Sequence, residues 1–94
     1  MTEEIQILQT NVFARAYKKL RANQKDAVDV AVASIIQNPN LGEEKKGDLA
    51  GVFVFVFKFD CVNQLFLLAY EFDPSTRELL LVGTHENFYR TLKR

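Results

Sequence analysis

The sequence predicts an α+β fold: an antiparallel sheet with an N-terminal helical hairpin on one face and a short C-terminal helix, in the order β-α-α-β-β-β-α. Three observations carry this expectation. Two stretches before residue 38 repeat apolar residues at helical spacing. The run Val52 to Phe59 (VFVFVFKF) is almost wholly β-branched or aromatic. Two more apolar stretches follow it, each set off by turn-forming residues.

Taken in order, Glu4 to Leu8 alternates in character and reads as a short first strand. Thr10 or Asn11 can cap the first helix, whose apolar stripe is Phe13, Ala16, Tyr17 and Leu20. Asn23 is the expected cap of a second helix, in which Val28, Ala31, Val32 and Ile35 repeat the spacing. Asn38-Pro39 ends it, because the residue before proline is pushed out of the helical region. Asn40 to Ala50 is polar, holds two glycines and reads as an exposed loop.

Along the next strand, alternation separates Phe53, Phe55, Phe57 and Phe59 from Val52, Val54, Val56 and Lys58. Gln64 to Glu71 and Glu78 to Val82 read as further strands, joined by a turn at Asp73-Pro74-Ser75-Thr76. A last helix, His85 to Lys93, is expected after a Thr84 cap. Helices on one face leave the other face of the meander apolar and in need of cover. Either the last helix with its loop or a partner chain supplies it.

Ninety-four residues are expected to form one domain, 1–94, with an apolar fraction of 48%, ordinary for a globular chain. The single cysteine, Cys61, and an acidic N-terminus without a long apolar run fit a reducing cytoplasm. Twelve basic residues balance twelve acidic ones, whereas proteins that grip nucleic-acid phosphates usually carry net positive charge. One histidine and one cysteine make no zinc or iron site, and no glycine-rich phosphate loop is present, so no cofactor is expected.

The tail carries the chemistry. On a helix starting near His85, the imidazole, the Tyr89 phenol and the Lys93 ammonium fall at i, i+4 and i+8, with Arg90 and Arg94 alongside. The positive end of the helix dipole disfavours the charged imidazole, and a neutral imidazole is what a general base requires. The same stripe also reads as an ordinary solvated face.

The element order, together with DLAGVFVFVFKF, QLFLLAYEF and LLLVGTHENFYRTLKR, resembles toxins of the RelE/ParE superfamily of type II bacterial toxin–antitoxin systems. Gly83-Thr84-His85 followed by Tyr89 is similar to the YafQ-type ending, and Leu67 to Tyr70 to the strand "L-L-x-Y". The resemblance implies a metal-independent, ribosome-dependent mRNA endoribonuclease that binds RNA and inhibits translation. In that chemistry a ribose 2′-hydroxyl attacks the adjacent phosphate. By position, His85 resembles the catalytic histidine, Tyr89 the aromatic that orients or stacks on a base, and Lys58 the strand lysine on phosphate. Arg90 joins that catalytic set, while Lys45 and Lys46 occupy the family's basic loop and Lys93 and Arg94 add charge for substrate.

Two other functions belong to the same superfamily. Gln64 and Leu65 stand where ribosome-dependent members often carry a basic residue, and no second histidine is present. These departures, with the neutral charge, suit a ParE-like inhibitor of DNA gyrase or a non-catalytic member that only binds antitoxin. All three readings imply a cognate antitoxin that wraps the toxin by helix-in-groove or strand-addition contacts, often within larger assemblies. The uncharged run Val52 to Phe57 either takes such cover or forms the central core strand.

Overall fold

The computed structural model describes residues 5–59, 64–84 and 88. Its elements are β1 (Gln6–Gln9), α1 (Asn11–Lys18), α2 (Ala22–Gln37), β2 (Glu43–Glu44), β3 (Phe53–Phe59), β4 (Gln64–Asp73) and β5 (Thr76–Thr84). The five strands form one sheet in the order β1-β5-β4-β3-β2. Strands β2 to β5 pair antiparallel as the expected meander, and β1 lies parallel to β5. The predicted last helix falls mostly outside the described residues; Phe88 within it is helical and buried.

Both helices lie on the phenylalanine face. Val28, Ala31 and Ile35 of α2 and Phe13 of α1 are buried with Phe66, Leu68, Tyr70, Leu79 and Val82, and Phe53, Phe55 and Phe57 pack against them. The opposite face buries Val52, Val54, Leu67, Ala69 and Leu81 together with Phe88. The alternation read along β3 therefore sorts Phe53, Phe55 and Phe57 from Val52 and Val54 as expected, while the Phe59 side chain lies outside the described residues.

Thr10 ties the first helix to the far strand. Its Oγ1 accepts from the Phe13 N–H at 3.0 Å, which caps α1. Its hydroxyl donates to the Leu80 carbonyl at 2.8 Å and its N–H to the Leu79 carbonyl at 3.0 Å. Those carbonyls flank a β-bulge: Leu79 opposes Tyr70 and Leu81 opposes Ala69, so Leu80 has no partner across the strand pair. The extra residue shifts the alternation, and both Leu79 and Val82 reach the helix-side core.

Several local expectations need correction. The first strand spans Gln6–Gln9, one residue beyond the expected end at Leu8, and Glu4 lies outside the described residues. The N-cap of α2 is Arg21, not Asn23; the Arg21 N–H donates to Gln24 Oε1 at 2.8 Å, and no Asn23 side chain is needed. The polar loop contains the short strand β2 and a 3-10 turn at Gly47–Leu49. Strands β4 and β5 run longer than predicted, to Asp73 and from Thr76, because the turn between them is tight. Asp73 Oδ1 accepts from the N–H groups of Ser75 and Thr76, each at 2.8 Å, and from the Ser75 hydroxyl. These bonds hold the Asp73 carboxyl below its ordinary range. Thr84 is the last residue of β5.

Two buried polar side chains fix the connections. Tyr70 donates to the Pro39 carbonyl at 2.6 Å and accepts from the Gly42 N–H at 2.9 Å, which pins the end of α2 to the sheet. Burial pushes its phenol above the ordinary value. Gly42 suits this contact: a Cβ there would sit 2.7 Å from the Tyr70 hydroxyl. Arg77 is buried with its guanidinium donating to the carbonyls of Ile35, Ile36, Asp73 and Thr76 at 2.7–3.2 Å. A cation at the C-terminus of α2 meets the negative end of the helix dipole, and the Phe72 ring lies 5.5 Å from its centre. No helix among the described residues is long and apolar enough to cross a membrane.

Candidate functional site

The outer side of β3 is only partly covered. Glu43 opposes Val54 and Glu44 opposes Phe53, and among the described residues no strand pairs with Phe55 to Phe59 on that side. The Val52 carbonyl accepts from the Lys45 N–H at 2.8 Å. Backbone groups alternate sides along a strand, so the N–H and C=O of Val56 and Lys58 face the open edge. Strand β3 is thus a penultimate strand with a largely bare edge, not the central strand of the sheet.

Along that edge runs a groove of about 320 Å³ lined by Ala27, Val30, Ala31 and Ser34 of α2, by Phe55 and Phe57 on the helix face, and by Lys58 at the strand edge. Small side chains on α2 leave the floor open, and Val30 stands in solvent at its rim. On the opposite face the same end of the sheet is bare. Val54 is 2% exposed, whereas Val56 is 49% exposed and Leu65 44%. Lys58 opposes Leu65 and is exposed among them.

The basic residues expected to share substrate do not converge. Lys45 and Lys46 lie beside Val52 at one end of β3, and Lys58 lies at the other, about 20 Å away at strand rise. The Lys45 ammonium pairs with Glu43 at 2.8 Å, which lowers the Glu43 carboxyl from its ordinary value, and Lys46 is exposed. At the Lys58 end, Phe57 opposes Phe66, and Phe66 opposes Thr84. The last residue of β5 therefore sits two strands from β3, about 10 Å across, at the end of the sheet that carries Lys58. His85, Tyr89, Arg90, Lys93 and Arg94 lie outside the described residues.

The bare edge of β3 went unread in the sequence because it depends on how far β2 extends. Pattern alone does not give that length. Glu43 and Glu44, the charged residues that make up β2, were its one local signal.

An open-edged meander with paired helices on one face defines a class of small α+β proteins. Several solved structures share this fold. The chain resembles the RelBE2 toxin–antitoxin complex of Mycobacterium tuberculosis, with a TM-score of 0.68 and 22% identity over 87% of this chain and 99% of that one. It also resembles a YoeB/ParE toxin from Agrobacterium tumefaciens, with a TM-score of 0.64 and 16% identity over 86% and 99% of the two chains. The intact E. coli RelBE toxin–antitoxin complex aligns with a TM-score of 0.63 and 13% identity, covering 87% and 98%. No curated protein matches in sequence. Residues 7–93 match the family described as ParE-like toxin of type II bacterial toxin–antitoxin systems, and the chain belongs to that family.

Proposed function

We propose that this toxin acts in the cytoplasm as a ribosome-dependent mRNA endoribonuclease, and that a cognate antitoxin silences it by covering the β3 edge. The observation that carries the first half is the strand register. Lys58 and the end of β5 share one end of the sheet, and the sequence enters Thr84-His85 there. In this reading the His85 imidazole takes the proton of a ribose 2′-hydroxyl, whose oxygen bonds to the adjacent phosphorus. Lys58 and Arg90 hold the phosphate oxygens as charge develops, with Lys93 and Arg94 contributing field. The bond to the 5′-oxygen breaks, and that oxygen takes a proton from solvent. Tyr89 stacks on a base.

Neutralisation rests on the open backbone groups of Val56 and Lys58. An antitoxin strand added there gains main-chain hydrogen bonds, and its alternate side chains enter the groove between α2 and β3. The two halves of the proposal meet at Lys58, which such a strand would cover. In a translating extract, His85→Ala is expected to slow mRNA cleavage by at least about 100-fold. Cleavage at the wild-type rate contradicts the nuclease reading.

One observation favours a second reading. The described neighbours of Lys58 on its face are apolar, Val56 and Leu65, and the net charge is zero, as suits contact with a protein target. DNA breakage that requires added gyrase, with mRNA left intact, would assign the chain to gyrase inhibition.

A further inference from the structure

The other edge of the sheet is also open. β1 is an edge strand, and its Gln6 N–H and the following Thr10 N–H donate to the Ser75 and Leu79 carbonyls. The alternation turns the N–H and C=O of Ile7 and Gln9 away from β5, toward the side where no described strand pairs. Every residue of β1 is exposed, with Ile7 at 42% and Leu8 at 46%, and Val12 in the first turn of α1 is exposed as well. Edge strands of soluble proteins are normally guarded by charge, proline or a bulge. From Ile5 to Val12 the sequence IQILQTNV has no charged residue and no proline.

We propose that β1 is a self-association edge, pairing antiparallel with β1 of a second copy about a two-fold axis at Ile7. Only outward-facing residues can form hydrogen-bonded pairs, which restricts a symmetric pairing to axes that pass through a residue. With the axis at Ile7, Ile7 opposes Ile7, Gln9 opposes Ile5 and Gln6 opposes Leu8 of the other copy. Two apolar side chains meet on the axis and no like charges face each other. The chain as a whole has zero net charge, so two copies approach without long-range repulsion. The β3 edge differs on this point, since it carries Lys58 and begins beside Glu43 and Glu44. Short and shallow, the β1 contact belongs to the weak class of interfaces.

Sedimentation equilibrium of the full chain at about 100 µM tests the pairing. Wild type is expected to approach twice the 10.8 kDa chain mass and Ile7→Lys to return to the single-chain mass with an unchanged melting midpoint. In a Cys61→Ser background, Ile7→Cys should oxidise to a covalent dimer, because hydrogen-bonded pairs bring Cα atoms to about 5.5 Å. Val30→Cys, more exposed at 67% but away from the β1 edge, should not. A wild-type chain that stays monomeric overturns the proposal, and so does a dimer that Ile7→Lys leaves intact. Loss of antitoxin binding in Ile7→Lys without any change in mass would give this edge to the antitoxin and overturn it equally.

Discussion

The two faces of the sheet are built from the same strands and end differently. Beneath the helices, Phe53, Phe55 and Phe57 of β3 and the buried Phe66, Leu68 and Tyr70 form one continuous core. On the opposite face burial is complete at Val52, Val54 and Leu67 and stops by Val56 and Leu65. Two residues along β3, one rise of about 7 Å, separate a buried valine from one half in solvent. Selection for stability alone would favour a polar residue at Val56. In the proposed function, its apolar side chain beside Lys58 belongs to the surface that meets the target. The difference teaches that one strand serves the core with one parity and, over its last residues, faces solvent with the other.

The largest expected effect separates two neighbours on β4. Phe66→Ala should cost about 3–5 kcal/mol in denaturant unfolding, since it opens a cavity under the helices. Leu65→Ala should cost no more than about 0.5 kcal/mol, as for surface positions. Equal losses would mean that the second face is covered at Leu65 and would erase the contrast.

Next in size is Arg77→Met, expected to lower stability by about 3 kcal/mol. The carbonyls of Ile35 and Ile36 lose a charged donor, and α2 loses the cation at its C-terminus. Thermal unfolding of this variant sharpens the comparison, because the damage is confined to the helix face and target contact should survive in the folded fraction.

The smallest effect is at the β4–β5 turn. The Asp73 carboxyl is held below its ordinary value by the Ser75 and Thr76 N–H groups and the Ser75 hydroxyl, so the unfolded chain binds more protons in acid than the folded one. Its contribution is present above the ordinary aspartate range and fades as pH falls through the depressed folded value. Asp73→Asn should therefore lower the neutral plateau slightly and converge on wild type in acid, which flattens the acid side of the stability profile.

Alternation made the faces of β3 legible in the sequence, and helical spacing gave Phe13, Val28, Ala31 and Ile35. Thr10 and Asn38-Pro39 marked helix ends because capping and proline chemistry are local. Pairing between distant strands was beyond reach. Nothing near Gln6 announces a parallel partner seventy positions on at Thr76, and the Leu80 bulge exists only against Tyr70 and Ala69. Arg77 follows the polar turn at 73–76, and its burial depends on where α2 ends. Of the residues expected at the site, Lys58 stands on the strand where the alternation put it, Lys45 and Lys46 lie at the far end of that strand, and His85, Tyr89, Arg90, Lys93 and Arg94 lie outside the described residues.

Expression of the Lys58→Ala chain in bacteria without its antitoxin tests the central claim most directly, with growth and the melting midpoint of the purified protein read side by side. If the bare end of the second face is the working surface, growth arrest is relieved while the midpoint stays within about 2 °C of wild type, as expected for an exposed side chain. Undiminished arrest by a normally folded Lys58→Ala chain would contradict the assignment of that surface.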